Sequence, residues 1–370
     1  MSVLDRLDPQ TVTTLRRFGF DDSRFEWLRA RVASGELSAE ANVVAGRVEP
    51  PEPADLVPLP EPDTAAWERA HRVGVDALAA GRVAQIVLAG GMATRFGGVV
   101  KGAVEALEGR SFLEWKLGQT ARLSGTLGVE IPVALMTSFA TDEATRAHVA
   151  ERGLGEPVWF SQFVSLRLTS GGELFRDDAG APSLYGPGHG DLLDAVRTSG
   201  VLDALRSRGV AVVSVSNVDN LGARIDPVAI GAHIEAGRAV TIEVAAKEGD
   251  MGGAPARLDG RTVLLESSRF PPGFDHDSIP VFNTNTAWID MAALERPYEL
   301  GWLYVEKDVD GRTAVQLERL YHEISMFVAT TYLVVPRTGP RGRFFPIKVP
   351  ADLERSRDEL RRMLDSPVLG

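Results

Sequence analysis

The sequence contains no cysteine, and this absence excludes several kinds of chemistry. Disulfide bonds, thiol nucleophiles and cysteine-ligated zinc sites cannot form. Basic residues are also few, with 40 Lys and Arg against 51 Asp and Glu, so the net charge is -11 and the pI lies near 5.2. This balance argues against a nucleic-acid partner, whereas a small phosphorylated ligand requires only a local cluster of positive groups.

Long apolar runs are absent as well. No segment has the length of a bilayer-spanning helix, and the N-terminus lacks the charged and then apolar pattern of a secretory signal. We therefore expect a cytoplasmic protein without a membrane partner. No internal repeat is evident, and 370 residues with 44% hydrophobic content allow one large domain with appendages or two domains.

A glycine-rich stretch follows a short apolar segment. Ile86–Ala89 is partly β-branched, as in a buried strand, and it leads into the four glycines of Gly90–Gly98, with Arg95 and Lys101 adding positive charge. The bare backbone N–H groups of such a loop can approach phosphate oxygens. The spacing matches neither a P-loop nor the G-x-G-x-x-G of a Rossmann dinucleotide site. A different phosphate loop and an ordinary strand-to-helix turn both remain open.

Strand and helix patterns alternate beyond this loop. Predicted strands cover Pro132–Thr137 and Val158–Gln162, and predicted helices begin at a capping box on Ser111 and near Asp142. The alternation predicts an α/β fold, with a Rossmann-like, mostly parallel mixed sheet flanked by helices. In such a sheet, ligands bind beyond the carboxyl ends of the strands.

The two ends of the chain are predicted to be appendages of this domain. Residues 1–62 combine short helical patterns with a proline-rich connector, Glu49–Pro62, which we expect to be extended and irregular. A flexible linker to a separate helical module is the less favoured alternative, because the first helices are too small to fold alone. The main domain should cover 63–350, and a charged C-terminal helix should lie in 351–370.

Two polar loops are candidates for ligand contacts. Tyr185–Asp191 holds three glycines around His189, which could reach a base or a sugar, although a lone histidine is more often structural; Asp191 could cap the next helix. The apolar strand Val210–Ser216 runs into Asp219. A carboxylate beside a phosphate loop is a natural Mg²⁺ ligand, although an Asx turn explains the same residue.

Amides and a carboxylate recur later in the chain. Asn283 and Asn285 occupy alternate positions, and hence one face, of an extended segment, and Glu266 ends a predicted hairpin. Such groups suit a hydroxyl-rich ligand, because each sugar hydroxyl both donates and accepts a hydrogen bond. Polar decoration of an edge strand is the alternative.

Taken in order, these motifs resemble those of the UTP–glucose-1-phosphate uridylyltransferase (UDP-glucose pyrophosphorylase) family of eukaryotes and some bacteria. The resemblance extends from about Ala84 to Asp352. Its motifs are Leu88-Ala-Gly-Gly-Met-Ala-Thr-Arg-Phe-Gly97 with Lys101, Leu135-Met-Thr-Ser-Phe-Ala-Thr-Asp-Glu143, Phe160-Ser-Gln162, Gly186-Pro-Gly-His-Gly-Asp191, Ser216-Asn-Val-Asp-Asn-Leu-Gly-Ala223, Gly252-Gly253, Leu264-Leu-Glu266, Phe282-Asn-Thr-Asn285, Val315-Gln-Leu-Glu318 and Phe345-Pro-Ile-Lys348. The related N-acetylhexosamine pyrophosphorylases fit F-N-T-N and P-G-H-G-D less well.

The resemblance implies a nucleotide-diphospho-sugar transferase type of fold and a role for each matching residue. It implies nucleotide binding by Gly90, Gly91, Met92, Thr94, Arg95, Met136, Gln162 and Gly188. It implies sugar-phosphate binding by His189, Asn217, Gly253, Glu266, Asn283 and Asn285. Lys101, Asp219 and Lys348 would be catalytic, with Asp219 also the ligand of Mg²⁺.

The implied reaction is in-line attack of a hexose 1-phosphate oxygen, most simply that of glucose 1-phosphate, on the α-phosphorus of UTP. Two alternatives remain: a relative that uses another sugar or cyclitol phosphate or another nucleotide, and a non-catalytic nucleotide-sugar-binding regulator. We expect only small-molecule partners and a monomer or small homo-oligomer.

Three departures from the family stand out. Ala93 replaces a family glycine, Phe-Val-Ser-Leu follows Gln162, and the chain ends soon after Lys348, where the family usually adds a C-terminal β-helix domain.

Overall fold

A computed structural model describes residues 2–93, 99–250, 252–345, 347 and 350–365 of the chain. Ten α-helices lie within these residues. They are α1 Pro9–Arg17, α2 Asp22–Ala33, α3 Ala65–Ala79, α4 Phe112–Leu127, α5 Asp142–Glu151, α6 Leu192–Thr198, α7 Val201–Ser207, α8 Pro227–Ala236, α9 Met291–Leu294 and α10 Pro350–Asp365. None of these helices has the length and apolar character that crossing a membrane requires.

Eight strands form the central sheet. They are β1 Leu56–Pro58, β2 Val83–Leu88, β3 Val133–Thr137, β4 Val158–Ser161, β5 Val212–Asn217, β6 Val240–Ala246, β7 Val281–Asp290 and β8 Thr330–Val334. Their order across the sheet is β1-β8-β6-β7-β5-β2-β3-β4. Only β7 runs antiparallel to its two neighbours in this sheet, so the mostly parallel mixed sheet expected from the sequence is confirmed.

Helices cover both faces of this sheet, as alternation along β2 illustrates. Ala84, Ile86 and Leu88 pack with the apolar residues of α6 and α7. Val83 packs on the other face with α3 and α8, and Val87 with the start of α4. Every residue of β2 is buried, as expected for a parallel strand with both faces covered.

Short strands and 3-10 helices lie in the loops outside the central sheet. The strands are Val48–Glu49, Ala254–Leu258 and Arg261–Leu265 in one sheet, and the pairs Met92–Ala93 with Val99–Val100, Glu105–Leu107 with Arg110–Ser111, Ser165–Leu166 with Leu184–Tyr185, and Leu303–Val309 with Arg312–Glu318. The 3-10 helices are Val3–Arg6, Glu40–Asn42, Pro53–Asp55, Lys101–Ala103, His189–Asp191, Ser267–Arg269, His276–Ser278 and Tyr321–Met326.

The proline-rich connector is more regular than we expected. Its residues Leu56–Pro58 form β1, which pairs in parallel with Tyr332–Val334 of β8. β1 lies at the edge of the sheet and has only one neighbour, so the prolines around it remove no hydrogen bond from a second strand. The central sheet therefore begins before residue 63, where we expected the main domain to start.

The two ends of the chain pack on the central unit through apolar side chains. Leu15, Phe25 and Leu28 of the first two helices share a hydrophobic cluster with Val164 and Leu317. Leu360, Met363 and Leu364 of α10 join the cluster that contains Phe112 and Leu113 of α4. Neither end is held by charged contacts alone.

Candidate active site

The predicted ligand loops meet at one edge of the central sheet. Parallel strands β2 and β5 are neighbours, and their last residues, Leu88 and Asn217, are register partners. The N–H of Val218 donates to the carbonyl of Leu88 at 3.1 Å, so the loop after β5 starts directly beside the glycine-rich loop. Because β7 is antiparallel, its early residues Asn283 and Asn285 reach this same edge.

Lys101 and Asp219 form an ion pair at this edge. Their side chains are 23% and 10% exposed, so both charged groups are largely shielded yet not sealed from solvent. The backbone N–H of Lys101 also donates to the carbonyl of Gly91 at 3.4 Å. A cation and an anion predicted to act on one ligand are thus brought together by a contact that spans 118 residues of sequence.

A buried lysine supports the loop that carries Asp219. The Lys116 side chain on α4 is fully buried, and its Nζ donates to the carbonyls of Asn220 at 2.8 Å and Ala223 at 2.7 Å. Burial, together with nearby Arg343, lowers the pKa of Lys116 to about 7. These two bonds fix the backbone on the carboxyl side of Asp219.

The same loop is tied to the C-terminal segment by Asn220. Its side-chain nitrogen donates to the carbonyl of Arg343 at 3.1 Å, and its side-chain oxygen accepts from the N–H of Phe345 at 2.8 Å. The guanidinium of Arg343 is itself buried and binds Glu243, at 2.8 Å from Nε and 2.7 Å from Nη2. The segment before Lys348 is therefore held next to the Asp219 loop by these hydrogen bonds.

Lys348 lies outside the described residues, but Ile347 is described. Ile347 is 1% exposed and belongs to the hydrophobic cluster that contains Ala89 and Val218. Both of these residues adjoin predicted site loops. The role of Lys348 stays a prediction.

Among the residues predicted to bind the nucleotide, Gln162 lies between two glycines. A Cβ at Gly186 would lie 2.1 Å from Gln162 Nε2, and one at Gly90 would lie 3.3 Å from its Cδ. Ser138 Oγ fixes this arrangement by donating to the carbonyl of Gly90 at 2.9 Å. The amide of Gln162 thus adjoins the glycine-rich loop, as a base-reading role requires.

Of the other residues predicted to bind the nucleotide, some are described and some are not. Gly91 and Met92 are exposed at the start of the loop, whereas Thr94 and Arg95 lie outside the described residues. Gly188 has a φ of 93°, which favours glycine, and a Cβ there would lie 2.7 Å from the carbonyl oxygen of Arg319.

Met136 and Asp191 are both buried, and the helix cap expected of Asp191 is wrong. Met136 is 1% exposed, because its side chain is part of the core beneath β3; the expected wall of a base site is therefore formed at most by its backbone. Asp191 caps no helix through its side chain. Its carboxylate instead accepts from the N–H of Phe163 at 3.0 Å and pairs with buried Arg319 at 2.5 Å.

The residues predicted to bind the sugar phosphate include a continuous hydrogen-bonded chain. Asn285 Nδ2 donates to Asn217 Oδ1 at 2.8 Å, and the N–H of Asn285 donates to Asn283 Oδ1 at 2.9 Å. Asn283 Nδ2 lies 3.1 Å from Nδ1 of His322. The N–H of Asn283 also donates to the carbonyl of Gly253 at 2.7 Å. Four of the six predicted sugar-phosphate residues are therefore directly connected.

His189 and Glu266 flank this chain. The His189 ring centroid lies 5.6 Å from that of His322, and Glu266 Oε2 lies 3.7 Å from His322 Nε2. A Cβ at Gly253 would lie 3.1 Å from Glu266 Oε2. Burial raises the pKa of the Glu266 carboxyl. The structure thus gathers all six predicted sugar-side residues into one cluster.

His322 was not predicted. It lies in the 3-10 helix Tyr321–Met326, four residues after the Val315–Glu318 motif, and no spacing in the sequence linked it to Asn283. The histidine stands among both polar and apolar neighbours, Tyr321, Glu323 and Ile324, so the local pattern did not mark it as a site residue.

We expect the two imidazoles to make the protein acid-sensitive. Burial lowers the pKa of His189 to about 4 and that of His322 well below its ordinary value of 6.5. As pH falls from about 6.5 towards 4, the unfolded chain binds protons that the folded chain does not, so the free energy of unfolding decreases. The melting temperature should fall across this window in the wild type and fall less steeply in His189→Asn. The melting temperature of each protein at pH 8 is the reference. If the melting temperatures of the two proteins fall equally with pH, His189 is not a neutral buried group in the folded protein.

Among its described residues, the site has too few carboxylates to hold a metal ion by itself, but it could hold one that the ligand also binds. No group of three or more His, Asp or Glu side chains in the described part of the chain could hold a metal ion. Asp219 offers one carboxylate beside the glycine-rich loop. One or two carboxylates plus phosphate oxygens are a typical Mg²⁺ environment, so this donor set fits Mg²⁺ bound together with phosphates.

Comparison with known proteins agrees with this geometry. The family model described as UTP--glucose-1-phosphate uridylyltransferase matches residues 23–363. Proteins of that name are similar to the chain: that of Saccharomyces cerevisiae is 30% identical over 76% of this chain and 60% of its own length, and that of Musa acuminata is 31% identical over 78% and 65%. The chain thus spans less than two thirds of these two relatives.

Solved structures share the fold. The UDP-glucose phosphorylase of Trypanosoma brucei has a TM-score of 0.72 at 23% identity, covering 95% of this chain and 76% of that one. The uridine diphosphate N-acetylglucosamine pyrophosphorylase of the same organism has a TM-score of 0.73 at 18% identity, covering 95% and 83%. At these sequence identities, the similarity supports the same fold but does not identify the substrate of this chain.

Proposed function

The chain belongs to the UTP–glucose-1-phosphate uridylyltransferase family, and on that premise we propose that it transfers a uridylyl group from UTP to a hexose 1-phosphate, with glucose 1-phosphate as the first candidate. The products are a UDP-sugar and pyrophosphate. One observation carries the proposal: the glycine-rich loop, the Lys101–Asp219 pair and the Asn217–Asn285–Asn283 chain meet at one sheet edge. We assign phosphate binding to the loop, charge stabilisation to the ion pair and hydroxyl binding to the asparagines. The N–H of Lys101 donates to Gly91 of the loop, and Asn217 lies two residues before Asp219.

The nucleotide is assigned to the side of the site near Gln162. The backbone of Gly90, Gly91 and Met92 would approach the phosphates, and Gln162 would read the uracil edge with one donor and one acceptor. Gly188 would line the base, and Thr94 and Arg95 belong to the same proposed loop. The hexose phosphate is assigned to the cluster formed by His189, Asn217, Gly253, Glu266, Asn283 and Asn285.

The proposed chemistry requires little acid–base catalysis. The attacking phosphate oxygen is already anionic, so no group need remove a proton from it. What the protein must supply is in-line positioning and stabilisation of charge on the phosphoryl oxygens, by Lys101 and by Lys348. Asp219 would hold Mg²⁺, which would supply further positive charge to the phosphates when bound.

The direct test is an assay of the full chain with UTP, glucose 1-phosphate and Mg²⁺, with pyrophosphate release and UDP-glucose formation both measured. We expect turnover that requires all three components. A panel of other nucleoside triphosphates, sugar 1-phosphates and cyclitol phosphates separates the alternative substrates. Binding of UDP-glucose without turnover on any member of the panel would instead support a non-catalytic regulator.

Replacing Gln162 by Leu should weaken UTP much more than the sugar phosphate. The substitution keeps the side chain's size and leaves uracil's polar edge without partners, which should raise the Michaelis constant for UTP about 10-fold or more. Steady-state kinetics with each substrate varied in turn measure the ratio. Gln85→Leu is a matched control, because Gln85 is a buried glutamine of β2 that accepts from Thr120 Oγ1 at 2.7 Å, away from the loops. Equal losses for both substrates in Gln162→Leu would remove the base-reading role.

A further inference from the structure

The hydrogen bonds around His322 determine which of its ring nitrogens carries the proton. The N–H of Asn285 can only donate, so the atom of Asn283 that faces it at 2.9 Å is the amide oxygen. The amide nitrogen of Asn283 therefore faces His322 Nδ1 at 3.1 Å and donates to it. A neutral His322 must then hold its proton on Nε2.

The same argument applies to His189. The N–H of Tyr321 donates to His189 Nδ1 at 3.3 Å, so a neutral His189 also carries its proton on Nε2. The rings of His189 and His322 lie 5.6 Å apart. The site therefore holds two imidazole N–H donors that are fixed by neighbouring side-chain and backbone groups.

His322 Nε2 has no hydrogen-bond partner among the described residues, although the residue is only 2% exposed. Glu266 Oε2 lies 3.7 Å from this nitrogen, which is too far for a hydrogen bond. Leaving a buried N–H unpaired costs free energy, and such groups are usually satisfied by protein, water or ligand. His322 therefore holds a fixed donor that no acceptor among the described residues satisfies.

An unpartnered acceptor belongs to the same chain of residues. Asn285 Oδ1 is buried without a partner in the described part of the chain, while Asn285 Nδ2 is used by Asn217. Asn285 also has a φ of 56°, a left-handed conformation that is uncommon outside glycine and clusters at functional sites. A donor, an acceptor and the carboxylate of Glu266 together suit a ligand group that both accepts and donates, which is a hydroxyl.

We propose that His322 contacts the substrate and determines specificity, donating from Nε2 to one ring hydroxyl of the sugar 1-phosphate. The inference rests on the proposed uridylyltransferase function and narrows its substrate class to sugar phosphates that bear a free hydroxyl at the position facing His322. A deoxy sugar at that position leaves the Nε2 donor unpaired and is rejected. His322 takes no part in bond making, so its effect is on binding of the sugar phosphate.

The test combines His322→Asn with deoxygenated substrates. Asparagine places an amide near the Nδ1 position, where it can still bind Asn283, but it lacks the Nε2 donor; His322→Gln places an amide nitrogen near the Nε2 position instead. The substrates are glucose 1-phosphate and its 2-, 3-, 4- and 6-deoxy analogues, each assayed with UTP. His233→Asn is the matched control, because His233 is 1% exposed and both ring nitrogens have partners, Thr241 Oγ1 at 2.8 Å and Asp290 Oδ1 at 3.2 Å.

We expect one deoxy analogue to lose about 10-fold to 100-fold in kcat/KM with the wild type and with His233→Asn, as the loss of one hydrogen bond predicts. The same analogue should lose less than about 3-fold with His322→Asn, and His322→Gln should restore part of the discrimination. The Michaelis constant for UTP should not change. Equal penalties for every analogue in the wild type and in His322→Asn would overturn the role of His322 and leave the uridylyltransferase proposal intact. Absence of turnover by the wild type with every sugar phosphate would overturn both.

If His322→Asn fails to fold, His322→Ala, which also lacks the Nε2 donor, takes its place beside the wild type. The proposal is overturned if each deoxy analogue is penalised equally in His322→Ala and in the wild type. It is supported if the penalty at one position is lost in His322→Ala.

Discussion

Asp219→Asn should lower turnover about 100-fold or more, since the loss of one electrostatic contact at a phosphoryl group costs several kcal/mol. Asparagine keeps the shape of the side chain and removes its charge. The side chain of Asp219 is 10% exposed and pairs with Lys101, so the substitution removes the carboxylate that we propose as the metal ligand and leaves a half-buried ammonium without its partner. Initial rates at increasing Mg²⁺ measure the effect, and the variant should require more Mg²⁺ for half-maximal rate.

A buried aspartate at the start of helix α5 provides the control for Asp219. Asp142 begins α5, is 5% exposed, and accepts from Thr137 Oγ1 at 2.8 Å and Arg146 Nε at 3.0 Å. Asp142→Asn should affect the melting temperature more than the Mg²⁺ dependence. Near-wild-type turnover of Asp219→Asn at limiting Mg²⁺ would show that Asp219 is not the metal ligand.

Much of the fold follows from local patterns in the sequence. The apolar runs Ile86–Ala89, Pro132–Thr137 and Val210–Ser216 predicted strands, because a strand covered on both faces reads as continuous apolar sequence. The observed strands β2, β3 and β5 overlap these runs. The edge strand Leu56–Pro58 did not follow from such patterns. Its pairing with β8 depends on residues more than 270 positions away, and local proline content pointed to irregular chain.

The candidate site also contains residues that the sequence predicts and contacts that it does not. Lys101, Asp219, Gln162 and the two asparagines of β7 could be predicted because each follows a strand end or matches a family motif. The position of Met136 in its motif does not reveal that its side chain points into the core, and its role at the base stays a prediction. The contact of Asn220 with Arg343 and Phe345 spans up to 125 residues, and a sequence alone carries no record of such a pairing.

Lys101→Met and Lys348→Met should each lower turnover, by about 100-fold, and should raise the Michaelis constants much less. This division is expected if both ammonium groups act mainly on charge that develops in the transition state. Lys307→Met is a matched control, because Lys307 is 50% exposed on the hairpin Leu303–Glu318 and lies outside the proposed site. For Lys101, loss of its pair with Asp219 adds to the effect.

Lys348 can be tested further through Asn220, whose side chain fixes Arg343 and Phe345 against the Asp219 loop at 3.1 Å and 2.8 Å. If this contact serves to place Lys348, Asn220→Ala should lower turnover in the wild type but add little in Lys348→Met, since the group it positions is already gone. Asn42→Ala is the matched control: Asn42 is also buried and also bridges backbone groups, donating to the carbonyl of Tyr304 and accepting from its N–H at 2.8 Å each. Asn42→Ala should lower stability and leave turnover unchanged in both backgrounds. A nearly silent Lys348→Met would show that turnover does not depend on Lys348. Strictly additive losses in the double variant would show that Asn220 stabilises the loop without acting through Lys348.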